Sequence, residues 1–405
     1  MFGDIILLEG GEVKSSKESF SSKGRGVEIS FYANEALLHI RFRETKSCNG
    51  NITVNFRLKE DGNGYDGELT LKTVDGECID YGFPLNIWNR VRFSLKLQTD
   101  ENGSFVLFKI YGCKGKTIYI SNITAEMSDD ALLLGGVKLW QMECVGLMMG
   151  YVFLTPDGKV VVIDGGNSAD TETLYRFLKT LSSKVDYWFL THFHCDHISA
   201  LCNILRARDI KIGTLYYDFP TTETVKECSS DSDAYLCDEF QRIVETNSEK
   251  IEKTVKPKRG DDIKISDALT IRVLNDACFD KSENYGNNTC VMYKAITPAE
   301  SVLFTGDMGD RGDLYLQDEW FRNEIETCAV VQLAHHGSLG VSDEFYNTIN
   351  NIKACLYPSA QWIYDNDNGQ GFNSAWLNTL QTRALVRERG VLRIYKSMDG
   401  RKLIE

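Results

Sequence analysis

The sequence THFHCDH, which ends at His197, contains three of the six histidines of the chain within six residues. It follows the short apolar stretch VDYWFL, which is typical of a buried strand. In an extended chain, side chains at i and i+2 point to the same side, so His192 and His194 can reach one cation. A turn after them would direct Asp196 and His197 to a second cation. The alternative is a polar loop that happens to be rich in histidine, but four ligand-type residues directly after a strand favour a metal site.

Two other apolar stretches end in residues that could complete such a site. SVLFTGD ends at Asp307, whose carboxylate could bridge two ions, and the glycine before it allows a close approach of the backbone. CAVVQLAHHGS carries His335 and His336 at the end of another predicted strand. Taken singly, Asp307 could be a turn residue and the histidine pair could be structural. Together with THFHCDH they predict a centre of two cations, which serves displacement at phosphorus or attack on a carbonyl.

The elements that position these groups alternate between strand and helix after about Leu133. GYVFLTPDGKVVVIDGG and KIGTLYY indicate strands, whereas TETLYRFLKTL and SALCNILRARDI have helical spacing. DEFQRIVETNSEKIEKTV (238–255) is predicted to be an amphipathic helix in a charged excursion. The alternation indicates a layered α/β structure, in which sites lie at the C-terminal ends of strands. We assign residues 133–405 to this domain.

Residues 1–132 have a different pattern. From Val27 to about Ile120, apolar and polar residues alternate in short runs that are separated by NG and DG turn signals. This pattern predicts an antiparallel β-sandwich. PLNIWNRVRFSLKLQTDENGSFVLFKIYG resembles the strand–turn–strand core of concanavalin-like jelly rolls. The resemblance implies a domain that could bind a glycan or a protein partner, an association that rests on fold alone.

Composition excludes several classes of function. The chain has 405 residues, enough for two domains, and no apolar run of about 18 residues that would indicate membrane insertion. The twelve cysteines include no CxxC pair, and the N-terminus has no basic start typical of a signal peptide. These features predict reduced thiols and a cytoplasmic location. The formal net charge of −13 disfavours broad binding to nucleic acid or to anionic membranes, although nucleic acid is not excluded as a substrate.

The motifs as a set resemble those of the metallo-β-lactamase superfamily. HFHCDH matches the HxHxDH signature of that superfamily, and VVVIDGG, LFTGD and AHHGS occur in the expected order. GNNTC before TGD and HHGS after it are similar to the competence-protein (ComEC-like) branch. The resemblance implies an αββα sandwich of two sheets flanked by helices. It also implies two divalent ions, with zinc favoured and manganese or iron as alternatives.

The resemblance also implies a role for each site residue. One metal would be held by His192 and His194, and Asp307 would bridge. The other metal would take Asp196, His197 and one histidine of the HHG pair. His336 is favoured there because it directly precedes the glycine. Three further groups complete the implied site, namely Asp164 as an orienting residue, His335 as a catalytic partner for developing charge, and Asn288 with Ser338 as substrate-binding residues.

One departure from many superfamily members concerns the first metal. The chain has no histidine between His197 and His335, so this metal should have fewer protein ligands and bind more weakly. Asp196 or Asp307 would orient the attacking water. The predicted function is a metal-dependent hydrolase of a phosphoester, with a phosphodiester favoured. Hydrolysis of a lactone, thioester or amide remains an alternative, as does a binding protein with a weakly active metal site. The sequence leaves the substrate and the oligomeric state open.

Overall fold

The computed structural model describes almost all residues after 132 and the strands before it. The described residues are 3–9, 11–16, 26–33, 35–42, 49–59, 68–73, 78–82, 89–96, 98–100, 103–111, 115, 117–127, 133–338, 340–365, 379–389, 391 and 393–404. The chain divides into two compact units. One comprises Met1–Asp130 with Leu392–Ile394, and the other comprises Ala131–Val391 with Tyr395–Glu405.

Apart from Arg393 and Ile394, which belong to a strand of the second unit's sheets, the described secondary structure of the first unit consists of strands. These are β1 (Gly3–Glu9), β2 (Gly11–Ser16), β3 (Gly26–Phe31), β4 (Glu35–Phe42), β5 (Asn49–Lys59), β6 (Glu68–Thr73), β7 (Cys78–Gly82), β8 (Asn89–Lys96), β9 (Gln98–Asp100), β10 (Gly103–Tyr111) and β11 (Thr117–Met127). One sheet has the order β1-β4-β10-β6-β7, with β9 on β10, and the other has the order β2-β3-β11-β5-β8. The described pairings are antiparallel. The alternation of apolar and polar residues corresponds to burial on one face of a strand, since Ala36, Leu38 and Ile40 lie on one face of β4 and are buried.

The second unit contains both strands and helices. Its strands are β12 (Lys138–Gln141), β13 (Gly150–Leu154), β14 (Val160–Asp164), β15 (Lys184–Phe189), β16 (Lys211–Tyr216), β17 (Ile251–Val255), β18 (Asp262–Lys264), β19 (Thr270–Val273), β20 (Tyr293–Ile296), β21 (Ser301–Phe304), β22 (Cys328–Gln332), β23 (Ala354–Tyr357), β24 (Arg393–Lys396) and β25 (Lys402–Ile404). Its α-helices are α1 (Thr171–Leu181), α2 (Cys195–Ala207), α3 (Thr222–Cys228), α4 (Asp231–Thr246), α5 (Tyr285–Asn288), α6 (Arg311–Leu314), α7 (Glu319–Glu326), α8 (Asp343–Thr348), α9 (Gln361–Asp365) and α10 (Thr379–Glu388). Short 3₁₀ helices cover Ser168–Asp170, Ser248–Lys250, Tyr315–Gln317, His335–Gly337 and Ser397–Asp399. Within the described ranges, no helix is both long and apolar enough to cross a membrane.

Two seven-stranded sheets form the centre of the second unit. Sheet I has the order β17-β16-β15-β14-β13-β12-β25, and sheet II has the order β18-β19-β20-β21-β22-β23-β24. In sheet I the strands from β14 to β17 are parallel, and in sheet II β21, β22 and β23 are parallel. The carboxyl ends of the parallel strands of each sheet therefore lie at one edge, where sites in α/β structures form.

The two sheets pack against each other through apolar side chains. Tyr151, Phe153 and Ile163 of sheet I share one buried cluster with Val302 and Phe304 of sheet II. Strands that are buried on both faces are mostly apolar. VVVID of β14 is buried at every position and is apolar except for Asp164 at its end. This packing joins the sheets face to face.

Helices cover the outer faces of both sheets. Leu174 of α1 and Leu201 of α2 pack in one cluster with Val162 and Trp188 of sheet I. On sheet II, Lys294 of β20 donates hydrogen bonds to Glu324 of α7, at 2.7 Å to its carbonyl and 2.9 Å to its carboxylate. The order of layers is helices, sheet, sheet, helices. The αββα sandwich predicted for the second domain is confirmed.

The prediction of one long helix over 238–255 is wrong in its second half. The helix α4 ends at Thr246, and Ile251–Val255 form β17, the edge strand of sheet I beside β16. The residues of β17 are mostly exposed, with only its two ends partly buried. Charged residues are typical of an exposed edge strand, so IEKTV gives little periodic signal that would separate it from a polar helix.

The buried aromatic cluster between the sheets should carry much of the stability of the second unit. Phe304 is fully buried, with its ring 4.9 Å from that of Tyr151 and 5.8 Å from that of Phe153. Phe304→Ala should lower the free energy of unfolding by about 3–5 kcal/mol because it leaves a cavity. Leu314→Ala is the control, since Leu314 is 67% exposed and its loss should cost less than about 0.5 kcal/mol. Urea denaturation of both variants measures this, and equal midpoints would contradict the assignment.

Candidate metal centre

Four strand ends converge on one cluster of histidines and aspartates. Asp164 is the last residue of β14, and His192 and His194 follow β15. Asp307 follows β21, and the His335–Gly337 turn follows β22. Two groups in the cluster have the composition of metal sites, each with ligand atoms within 4.8 Å of one another, namely His192, His194 and Asp307, and Asp196, His197, Asp307 and His336. Asp307 belongs to both groups.

The four-residue group is held around two carboxylates. His336 Nε2 lies 2.9 Å from Asp196 Oδ2 and 3.6 Å from Asp307 Oδ2. His197 Nε2 lies 3.3 Å from the same oxygen of Asp307. Asp196 keeps 13% of its side chain exposed, whereas His197 and Asp307 are almost completely buried. One edge of this group therefore faces outward at Asp196.

Two members of the three-residue group, His192 and His194, lie on the loop between β15 and α2. The rings of His192 and His194 have centroids 4.5 Å apart. His194 has extended backbone and is the N-cap of α2, so its carbonyl accepts a hydrogen bond from His197 N at 3.0 Å. Gly286 lies against His194, and a Cβ atom at Gly286 would stand 2.1 Å from His194 Nε2. Only a glycine lets the α5 segment lie this close to the ring.

Three buried ligand atoms of the cluster have no hydrogen-bond partner. They are His192 Nε2, His197 Nε2 and Asp307 Oδ1. Buried polar atoms are nearly always hydrogen-bonded, and each one left without a partner costs free energy. Imidazole nitrogens and carboxylate oxygens with free lone pairs are ligands for zinc, manganese and iron. The chemistry of these donors fits divalent cations shared through Asp307.

The carboxylate of Asp164 contacts Thr191 and His197 of the first histidine loop. Its carboxylate accepts hydrogen bonds from Thr191 N and Thr191 Oγ1, both at 2.8 Å, and lies 2.9 Å from His197 Nδ1. A histidine that donates from Nδ1 to a carboxylate keeps Nε2 free for a metal. Asp164 has a positive φ of 56°, a strained conformation that the hydrogen bonds of its side chain stabilise. The orienting role of Asp164 stays a prediction.

Burial and the neighbouring charges together shift the pKa values of the cluster. Burial favours a neutral His197, but the carboxylates of Asp307 and Asp164 outweigh it and raise the pKa of His197 well above its usual range. Burial would raise the pKa of Asp307, yet His197 and His336 hold it well below its ordinary value. The pKa of His192 is lowered well below its ordinary value by burial, then by His197 and His194. Cations that bind here would displace protons from His197, while His192 is neutral and ready to bind.

The histidine pair lies on a strained turn. His335 and His336 have positive φ values of 48° and 57°. His336 Nδ1 lies 2.5 Å from Pro358 O, which directs Nε2 towards Asp196 and Asp307. Of the pair, His336 is the member of the four-residue group, as the sequence favoured. Its assignment as a ligand stays a prediction.

The remaining predicted site residues surround the cluster. His335 Nε2 lies 3.8 Å from Asp307 Oδ2, with 24% of the side chain exposed. Ser338 Oγ donates to His335 O at 2.7 Å. Asn288 is 2% exposed, and its amide donates to Asp310 Oδ1 at 2.8 Å and to Ser282 Oγ at 3.1 Å. The carboxamide of Asn288 is engaged within the protein, and the substrate-binding roles of Asn288 and Ser338 stay predictions.

Sequence reasoning missed Gln332, the last residue of β22. Its side chain is fully buried and forms hydrogen bonds with the backbone of Thr305 and Gly306, the residues just before Asp307. The signal was present in CAVVQLA, where one glutamine interrupts an otherwise apolar strand. Buried polar side chains have hydrogen-bond partners, so a single polar residue in an apolar strand indicates that its side chain binds nearby backbone groups.

One family model and several solved structures are similar to parts of this chain. The sequence model of the metallo-beta-lactamase superfamily matches residues 146–234, which include His192, His194, Asp196 and His197. No curated protein sequence matches the chain.

Among solved structures, a diphosphatase from the PhnP family has 12% identity and a TM-score of 0.36, and the match covers 66% of this chain and 97% of that chain. A metallo-beta-lactamase motif mutant from Cronobacter sakazakii has 10% identity and a TM-score of 0.31, with 60% and 87% covered. A xylan-binding domain from Paenibacillus barcinonensis has 9% identity and a TM-score of 0.23, with 31% and 87% covered.

The two groups of ligands differ in number, so they should differ in affinity. The group of His192, His194 and Asp307 offers three protein ligands, one fewer than the group around Asp196. Dialysis of protein loaded with two zinc ions against increasing chelator should therefore remove one ion well before the other. Metal analysis of the dialysed protein gives the stoichiometry. His194→Ala should weaken only the ion lost first, and simultaneous loss of both ions from the unaltered protein would contradict the asymmetry.

Proposed function

We propose that the protein is a metal-dependent hydrolase that activates water at a dinuclear centre and cleaves a phosphodiester. The premise is the metallo-beta-lactamase superfamily domain in the chain. The observation that carries the proposal is the pair of ligand groups that share Asp307. A single carboxylate in two groups is what a bridged pair of cations requires. Zinc is the proposed metal, with manganese or iron as alternatives, because imidazole and carboxylate ligands suit all three.

The charge of the site favours an anionic substrate. Two divalent cations would bring four positive charges to the three carboxylates of Asp164, Asp196 and Asp307, which leaves a net charge of one positive unit before water or substrate binds. His335 adds an imidazole N–H donor at the same place. An excess of positive charge in a buried site attracts a phosphodiester more than a neutral lactone or amide. The similarity of GNNTC, TGD and HHGS to the ComEC-like branch supports the same choice.

The residues of the site have distinct tasks in hydrolysis. When bound, the cations supply positive charge and lower the pKa of water towards neutrality. Asp196, the carboxylate that is partly exposed, accepts a hydrogen bond from the attacking water and orients it. His335 Nε2 lies beside Asp307 and donates a hydrogen bond to the phosphoryl oxygen that gains charge. Asp164 keeps His197 in the tautomer that leaves Nε2 free.

Three further expectations stay predictions. The first domain is proposed to bind a glycan or a protein partner, an association that rests on fold alone. The cytoplasmic location predicted from the N-terminus and the cysteines rests on sequence alone. Hydrolysis of carboxyl-type substrates is the alternative to the proposed phosphodiesterase, and the experiment below separates the two.

Hydrolysis of a chromogenic phosphodiester with added zinc or manganese tests the proposal. Asp196→Ala should lower kcat/KM by at least about 100-fold, since even the loss of residues around the ligands costs 10–100-fold. Asp209→Ala is the control, because Asp209 is 70% exposed and pairs with Lys179 on the surface. No turnover by the unaltered protein with two metals bound would move the assignment to a lactone, thioester or amide. Equal rates in all three proteins would identify a contaminant.

A further inference from the structure

We propose that Gln332 is the positioning residue of the dinuclear centre, which fixes Asp307 where both cations can share it. The inference rests on the proposed function and concerns a side chain whose described hydrogen bonds go to Thr305, Gly306 and Leu333. Gln332 is fully buried at the end of β22. Its effect on the centre is transmitted through the backbone of Thr305 and Gly306.

The carboxamide of Gln332 is saturated with hydrogen bonds. Oε1 accepts from Thr305 N and Gly306 N, both at 2.7 Å, and Thr305 Oγ1 lies 3.1 Å from it. Nε2 donates to Gly306 O at 3.0 Å and to Leu333 O at 2.7 Å. A carboxamide has two N–H hydrogens, and both are used here. The opposite orientation of the amide would direct its NH₂ group at two backbone N–H groups, so the contacts define one orientation.

These hydrogen bonds replace strand pairing where it ends. The strands β21 and β22 are parallel and pair as far as Leu303 and Val331. Beyond that point the chain after β21 turns, with Gly306 at a positive φ of 55°. A Cβ atom at Gly306 would lie 2.8 Å from Thr191 Cβ, so this peptide also lies directly against the first histidine loop. Gln332 supplies the hydrogen bonds that a regular ladder would have given to Thr305 and Gly306.

The same glycine ties the second histidine motif to the bridging aspartate. Gly306 O accepts a hydrogen bond from His335 N at 3.1 Å as well as one from Gln332 Nε2. Asp307 therefore follows a peptide held by β22 and by the HHG turn together. A bridging carboxylate must reach both ligand groups, and within each group the ligand atoms lie within 4.8 Å of one another. A peptide that is free to rotate would let Asp307 bind one ion and leave the other.

Two variants of the full chain separate the contacts. Gln332→Met keeps the approximate size of the side chain and removes every hydrogen bond of the carboxamide. Gln332→Glu keeps the shape and the acceptor oxygens but removes the two N–H donors. Gln141→Met is the matched control, because Gln141 is also buried (1% exposed) and donates to the backbone carbonyl of Tyr395 at 2.7 Å. Circular dichroism and thermal unfolding of the metal-free proteins establish that each variant folds.

Manganese binding supplies a readout independent of turnover. Calorimetric titration measures the affinity of each ion, and electron paramagnetic resonance detects the exchange coupling of a bridged Mn²⁺ pair. Both Gln332 variants should bind the second ion about 10–100-fold more weakly, the usual effect of losing a residue that orients ligands. The coupled signal should disappear in them and persist in Gln141→Met.

Each outcome decides a different claim. Folded Gln332 variants with two ions, unchanged affinities and a coupled signal would overturn the positioning role. Loss of the fold in both variants would overturn it as well, because Gln332 would then act on stability and not on the centre. If Gln332→Met alone fails to fold, Gln332→Glu decides. Failure of the unaltered protein to bind two ions would instead refute the proposed function.

Discussion

A buried carboxylate sets the constraint that the rest of the site satisfies. Asp307 is almost completely buried, and burial alone would favour its neutral form. His197, His336 and His335 surround it and keep its pKa low, so it is ionised, yet one of its oxygens has no hydrogen-bond partner. A buried charge with a free lone pair is costly unless a cation compensates it. The cluster of imidazoles around Asp307 is the arrangement in which two cations would do so.

The strand order within the two sheets brings the candidate ligands together. Sheet I presents Asp164 and the THFHCDH loop at the ends of β14 and β15, while sheet II presents Asp307 and the HHG turn at the ends of β21 and β22. The apolar cluster between the sheets fixes the distance between these ends. Buried side chains also hold the backbone of two of these loops, since Asp164 accepts a hydrogen bond from Thr191 N and Gln332 accepts one from Gly306 N.

The site was more predictable than the contacts that support it. THFHCDH, TGD and HHG could be read because ligand-type residues after apolar strands are rare, and His336 was favoured over His335 by its place before the glycine. Gln332 was missed because a glutamine in an apolar strand does not by itself reveal its partners, which are backbone atoms 26 and 27 residues away. The hydrogen bonds of Asn288 to Ser282 and Asp310 could not be predicted, because they depend on how distant loops meet. The edge strand β17 was misread because exposed charged residues carry no clear period.

Anomalous diffraction from crystals grown with manganese tests the central claim most directly, since it locates the cations without any assumption about substrate. Two peaks about 3.5–4 Å apart, with Asp307 between them, are the predicted result. One peak should adjoin His192 and His194, and the other should adjoin Asp196, His197 and His336. A single fully occupied peak, or peaks away from Asp307, would contradict a centre in which one buried carboxylate joins two ions.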